Sequence, residues 1–216
     1  MEECAALLAV EPYPKGEWRG VFGNGNPIRL EIGCGKGSFV TQMAQRCPDV
    51  NFIAVEKCPD VLLLAMEKTR ALKLANIRFI GGDAGLLGDI LSPGEVERIY
   101  VNFCDPWPKA KQAKRRLTHR NFLNIYKTLL SPNGGELHFK TDNRGLFLFS
   151  LSEMKAAGLE RRNVTHDLHA SDFPDNVVTE YEALFSGQGM PIYRCEAVFP
   201  PVRDFVTETD AAEMIQ

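Results

Sequence analysis

The stretch IRLEIGCGKGSFVTQMAQR, residues 28–46, passes from strand to glycine loop to helix. Ile28–Ile32 is an apolar run of strand length, and Ser38–Arg46 carries Phe39, Val40, Met43 and Ala44 on one side at helical spacing. Between them, Gly33, Gly35 and Gly37 let a ligand approach the backbone closely. A strand, a glycine loop and a helix in that order form the turn on which nucleotide-like ligands sit in doubly wound sheets. The spacing narrows the ligand. It is G-x-G-x-G, with Ser38 where the dinucleotide fingerprint needs glycine, and it lacks the G-K-[ST] ending of a P-loop. Glu31, two residues before the first glycine, would repel a pyrophosphate but suits a cationic ligand.

Downstream, the same unit recurs. Asn51–Glu56 reads as a second strand, ending in an acid about 20 residues past the glycine loop, where a carboxylate commonly takes ribose hydroxyls. Pro59–Leu74 reads as a long helix and Ile77–Gly81 as a third strand, which ends at Gly82-Asp83-Ala84 and places Asp83 to contact an adenine or adenosine moiety. Taken singly, each acid serves as well as a helix cap or a solvated strand end. Three acids at three successive strand ends favour one shared pocket, because ligands of such sheets bind outside the carboxyl ends of the strands.

After a short helix over Ala84–Leu91, a fourth strand, Arg98–Phe103, leads into NFCDPWPKAKQAKRR, residues 102–116. Pro106 and Pro108 forbid continuation of strand or helix just after Asp105. From Pro106 to Gly135 there are seven basic residues and no acidic one. A solvated helix face mixes signs, so this run predicts a phosphate-binding surface beside one carboxylate. Thr118 is the expected N-cap of a helix reaching about Leu130, and a fifth strand, Glu136–Lys140, brings Asp142 to the same edge as Asp105. Gly145–Ala157 is expected to be helical, Val164–Leu168 a strand, and Thr179–Phe185 a helical turn. The last strand, Tyr193–Phe199, follows a connection too short for a crossover and is therefore placed antiparallel. His166 and His169 would face opposite ways on a short strand, which favours structural roles over a metal pair.

The 216 residues suit one domain, with an irregular lead-in over 1–27 pinned by Trp18 and Phe22, a body over 28–199, and a tail over 200–216 expected to be partly ordered at most. Net charge is −3, so the positive charge is local rather than global. The start, MEECAALLAV, has neither the pattern of a signal peptide nor the length of a span. Six cysteines without a CxxC indicate neither zinc nor a disulfide framework, and reduced thiols in the cytoplasm are the expectation.

An acid-lined adenosine pocket with a G-x-G-x-G loop suits S-adenosylmethionine, a sulfonium cation, with S-adenosylhomocysteine as product and no metal. The basic run puts the acceptor on a nucleic acid. Guanine N7 carries a lone pair and needs no deprotonation, but its methylation leaves positive charge that a preorganised carboxylate would stabilise. Asp105, Asp142 and Glu182 are candidates for this task and for accepting from the guanine Watson–Crick edge.

LEIGCGKG at 30–37, VEK at 55–57, GDA at 82–84, DPWPK at 105–109, KRRLTHRNFL at 114–123, LHFKTDN at 137–143 and TEYE at 179–182 occur in one order. Together they closely resemble the bacterial tRNA (guanine-N7-)-methyltransferases, from about Trp18 to Glu196. The resemblance implies a class I methyltransferase: an α/β, Rossmann-like, doubly wound sheet of seven strands, parallel except for its last. It implies that Glu31, Gly33, Gly35, Glu56, Asp83, Ala84 and Asp105 form the S-adenosylmethionine site, with Asp105 also the catalytic acid. Lys109, Asp142, Thr179 and Glu182 would contact the substrate, and Lys111, Lys114, Arg115 and Arg116 the RNA. The implied acceptor is a guanine in the tRNA variable loop, modified in the cytoplasm, away from membranes, by a monomer or homodimer.

One position departs from the family pattern. Cys104 stands where Ser or Pro is more usual, which raises a pyrimidine C5-methyltransferase with a cysteine nucleophile; nothing in the sequence marks this thiol as activated. A dehydrogenase would share Glu56 but lacks the third fingerprint glycine, and a non-catalytic RNA-binding module would leave the acid-lined pocket unused. An amino-methyltransferase acting on adenine is the nearest enzymatic rival.

Overall fold

In the computed structural model, which describes residues 2–200, the apolar runs form strands buried on both faces. The elements in chain order are β1 (Leu8–Ala9), α1 (Trp18–Phe22), β2 (Ile28–Ile32), α2 (Ser38–Arg46), β3 (Asn51–Glu56), α3 (Pro59–Ala71), β4 (Ile77–Gly81) and α4 (Leu87–Ile90). They continue with β5 (Arg98–Asn102), α5 (Arg120–Leu129), β6 (Glu136–Thr141), α6 (Arg144–Ala156), β7 (Glu160–Thr165), α7 (Glu180–Gly187) and β8 (Tyr193–Val198). Among the described residues these strands make one eight-stranded sheet in the order β1-β4-β3-β2-β5-β6-β8-β7. Pairing is parallel from β1 to β6, and β8 runs antiparallel to both of its neighbours.

The pleat decides which helix covers which side chain. Phe52 and Ala54 face the layer of α2 and α3, whereas Ile53 and Val55 face the layer of α4, α5 and α6. A one-residue slip of β3 would exchange the two sets, so the register is strongly specified. Gly37 closes the first layer. Its φ is +74°, and a Cβ built there would lie 2.9 Å from Ala65 Cβ on α3, so α2 and α3 approach more closely than any other residue allows.

The chain runs outward from β2 to β4 and returns to β5 on the other side of β2. The sheet's switch point therefore lies between β2 and β5, and the glycine loop and Asp105 leave the same end of it.

Several expected boundaries shift, each for a local reason. Strand β5 stops at Asn102 rather than Phe103, because Phe103 takes a left-handed φ of 52°. Helix α3 ends at Ala71 rather than Leu74, two residues before Lys73, which has φ 53°. His119, not Thr118, caps α5 through its ring nitrogen, while the Thr118 hydroxyl is buried against Ser150 at 2.6 Å. Strand β7 lies over Glu160–Thr165 instead of Val164–Leu168. It is an edge strand with almost every residue exposed, so no apolar alternation announces it.

The sheet has one strand more than expected. The lead-in, expected to be irregular, holds a 3-10 turn over Glu2–Leu7, the two-residue β1 beside Phe79 and Ile80, and α1. Trp18 is fully buried and its Nε1 donates to the Ile90 carbonyl at 2.9 Å. The expectation for the tail lies outside the described residues, save Pro200. Among the described residues no helix is long and apolar enough to cross a membrane.

Candidate active site

A cavity of about 790 Å³ opens at the carboxyl ends of β2, β3, β4 and β5. Glu31, next to last in β2, lines it although the residue is only 2% exposed. Its Oε1 accepts from Asn102 Nδ2 at 3.1 Å, and its Oε2 has no hydrogen-bond partner. Burial raises its carboxyl to about 8, against the lowering effect of the Asn102 bond and the Lys140 charge. A buried polar atom left unpaired costs about 1–3 kcal/mol. A ligand cation or donor in the cavity would remove that cost.

Glu56 ends β3 and ties the loop to the next helix. One of its oxygens accepts from the Gly35 amide and the other from the Cys58 amide, both at 3.0 Å. Each oxygen keeps a second lone pair for a ribose hydroxyl. Asp83 accepts from the Gly85 amide at 2.9 Å and caps the 3-10 turn Ala84–Leu86. Both the capping role and a place on the cavity wall are thus realised in one side chain. Gly33 and Gly35 have φ of +76° and +55°, and a Cβ at either would meet nothing within 4 Å. The loop backbone is open to a ligand, and only glycine takes that conformation cheaply.

Asp105 is exposed on the cavity wall, in a turn flanked by Phe103 (φ 52°) and Trp107 (φ 41°). Left-handed conformations at bulky residues cost of the order of 1–3 kcal/mol each and persist only where their surroundings impose them. At Trp107 the surroundings include Arg116. Its guanidinium donates to the carbonyls of Pro106 (3.1 Å) and Trp107 (2.9 and 3.2 Å) and lies 4.3 Å from the Phe149 ring centroid. Arg116, expected on the RNA surface, is therefore committed to the turn. Lys109, Lys111, Lys114 and Arg115 are exposed around the 3-10 turn Ala110–Arg115, and Lys114 and Arg115 reach the cavity.

The structure gathers Glu31, Gly33, Gly35, Glu56, Asp83, Ala84, Asp105 and Thr179 around the cavity, but Lys109, Asp142 and Glu182 do not line it. Glu182 is fully buried. It accepts from Lys140 Nζ at 2.6 Å, pairs with His169 Nε2 at 3.2 Å, and takes a further bond from Asn176. Thr179 caps α7 by accepting from the Glu182 amide at 3.0 Å. Asn102, Lys140 and Asn176 were not singled out by sequence reasoning, and the Thr-x-x-Glu spacing of a capping box was the one available signal for this network. His166 packs edge-on to Phe147 and Tyr193, so both histidines serve the structure.

Burial, and then the Asp105 charge, push the Cys104 thiol up to about 12. A group so held is a thiol at neutral pH, which counts against the cysteine-nucleophile alternative although Cys104 lines the cavity. Among the described residues no group of three or more His, Cys, Asp or Glu converges as metal ligands would.

A doubly wound sheet with an open glycine loop and acids at successive strand ends defines the class I S-adenosylmethionine-dependent methyltransferases. The orphaned Glu31 oxygen and the open glycine cradle fit that cofactor: a cationic donor without phosphates, carrying ribose hydroxyls. Residues 25–195 match the family described as "Putative methyltransferase". The tRNA (guanine-N(7)-)-methyltransferase of Brevibacillus brevis is 51% identical over 202 residues, 89% of this chain and 94% of that one. The enzyme of the same name from Streptococcus equi subsp. zooepidemicus is 49% identical over 200 residues, 92% and 94% of the two chains. The chain belongs to the tRNA (guanine-N(7)-)-methyltransferase family.

Solved structures agree on the fold. The 16S rRNA methyltransferase KamB superposes with a TM-score of 0.67 at 12% identity, over 89% of this chain and 97% of that one. An S-adenosylmethionine-dependent methyltransferase from Aquifex aeolicus gives 0.56 at 14% identity, over 86% and 89%.

Proposed function

We propose that this protein methylates N7 of a guanine in the variable loop of tRNA, using S-adenosylmethionine. The observation that carries this reading is the position of Asp105, exposed where the acid-lined cavity meets Lys114 and Arg115. S-adenosylmethionine, when bound, supplies an electrophilic methyl group on a sulfonium centre. Glu31, Glu56 and Asp83 would hold it, with the backbone of Gly33, Gly35 and Ala84 against it.

The chain's own residues then have three tasks. Lys109, Lys111, Lys114 and Arg115 bind phosphates and set the register of the RNA. The cavity walls hold the acceptor close to the donor and exclude water, which is the main protein contribution to an in-line displacement. Guanine N7 attacks with its own lone pair, so no general base is needed, and the base becomes cationic as the bond forms. The Asp105 carboxylate stabilises that charge from a fixed position. Thr179 and Tyr181, which line the cavity, border the acceptor.

The activity belongs in the cytoplasm, and the cavity is built by one chain, which suits a monomer or a homodimer of independent sites. Nucleoside mass spectrometry of tRNA treated with the protein and S-adenosylmethionine tests this. 7-Methylguanosine at the variable loop is expected; a methylated adenosine or cytidine instead would overturn it.

A further inference from the structure

Phe103, Tyr181 and Phe185 form a cluster of three near-parallel rings, two of which line the same cavity as Asp105. The Phe103 centroid lies 6.5 Å from Tyr181 and 6.2 Å from Phe185, with interplanar angles of 26° and 29°. Tyr181 and Phe185, one turn apart on α7, lie 6.2 Å from each other at 20°. The left-handed turn at Phe103 puts that ring two residues from the Asp105 carboxylate in sequence. Phe185 does not line the cavity; Phe103 and Tyr181 do, and Tyr181 is 58% exposed. Tyr181 is thus an exposed lining residue whose ring packs against Phe103 and Phe185.

The other aromatic side chains on the wall are engaged. Phe39 is buried edge-on against Tyr100, and Phe122 packs on the core. Trp107 has the Arg115 guanidinium 3.8 Å from its ring centroid. The support under Tyr181 is rigid, since its neighbour Glu182 is buried and paired with Lys140, and Thr179 caps the same helix.

We infer that Tyr181 is the stacking platform for the acceptor base: a guanine turned out of the RNA lies on the Tyr181 ring, backed by Phe103 and Phe185, on the Asp105 side of the cavity. The inference rests on the proposed guanine methylation and names the residue that holds the base during it. A base taken out of its stack must recover stacking elsewhere, and an exposed aromatic ring offers it to any base. Tyr181 would therefore favour the extruded state, leaving the choice among bases to polar groups.

The test is a set of variants at this one exposed position. Tyr181→Ala should lower the single-turnover methylation rate at saturating tRNA and donor by about 10–100-fold. The tRNA dissociation constant should stay within about twofold, because phosphate contacts dominate it. S-adenosylmethionine affinity measured by calorimetry should not change. Tyr181→Phe and Tyr181→Trp should recover most of the rate, whereas Tyr181→Leu, which keeps apolar bulk without a π face, should not. A normal rate in Tyr181→Ala, or recovery by Leu equal to that by Phe, overturns the platform. A loss of donor affinity that accounts for the slower rate also overturns it, by making Tyr181 part of the donor wall. If the unsubstituted protein forms no 7-methylguanosine at all, the methylation reading itself fails, and the platform with it.

Discussion

Glu31 holds a carboxyl whose second oxygen has no partner in a residue that lines the donor cavity. With the folded-state value raised to about 8 from 4.5, the folded protein keeps a proton that the unfolded chain releases across that window. Its contribution to stability therefore falls as pH rises from about 4.5 to 8, and Glu31→Gln should flatten that part of the ligand-free pH–stability curve. A cation placed beside it favours the carboxylate, so donor binding at pH 7 should release up to about one proton. Calorimetry in buffers of different ionisation heats measures this directly; a buffer-independent heat would take Glu31 out of ligand contact. On the proposed mechanism Asp105 acts later, on the chemical step. Asp105→Asn keeps the shape and removes the charge, and single-turnover methylation should slow by about 10²–10³. Binding of tRNA should barely move. A near-normal rate would mean that the carboxylate only positions the base.

At the scale of the element, the segment from Asp105 to Arg116 divides into a turn and a cationic surface. Arg116 belongs to the turn through its bonds to the Pro106 and Trp107 carbonyls, which leaves Lys111, Lys114 and Arg115, of the four residues expected on the RNA, as the proposed phosphate contacts. Replacing those three with Ala should weaken tRNA binding and reduce the log–log salt slope by up to about three. Arg116→Ala should instead slow methylation while leaving the slope nearly unchanged, because it loosens the support of Asp105. Filter binding from low to high salt separates the two, and a slope that drops equally for Arg116→Ala would return it to the RNA surface. The basic run was legible in the sequence because its charges are contiguous and unmixed. The inward use of Arg116 was not, since side-chain direction in an irregular segment has no period to read. The same distinction holds for strands. Runs such as Phe52–Val55, Ile77–Ile80 and Ile99–Val101 announce themselves, whereas β1 is too short for any pattern and β7 too exposed.

Across the whole molecule, a buried ion pair ties α7 to the sheet. Lys140 on β6 donates to Glu182 on α7, to Asn176 and to the Val177 carbonyl, and His169 closes the network. None of these pairings is legible from the sequence, because the partners sit on separate segments that no periodicity links, and Lys140 and Glu182 each alone read as a surface charge. Their consequence is energetic. Burial pushes the Lys140 ammonium down while the Glu182 charge holds it up, so each ion depends on the other. Glu182→Ala leaves Lys140 buried without its counter-ion and should cost about 3–5 kcal/mol of unfolding free energy. Lys140→Met combined with Glu182→Leu removes both charges and keeps the volume, and should recover much of that loss. Urea denaturation at pH 7 measures both, with the midpoint moving and the slope holding if the folded state is otherwise intact. The double variant should also retain Tyr181 over the cavity and hence the single-turnover rate. Recovery of stability without recovery of rate would mean that the Glu182 carboxylate itself meets the substrate.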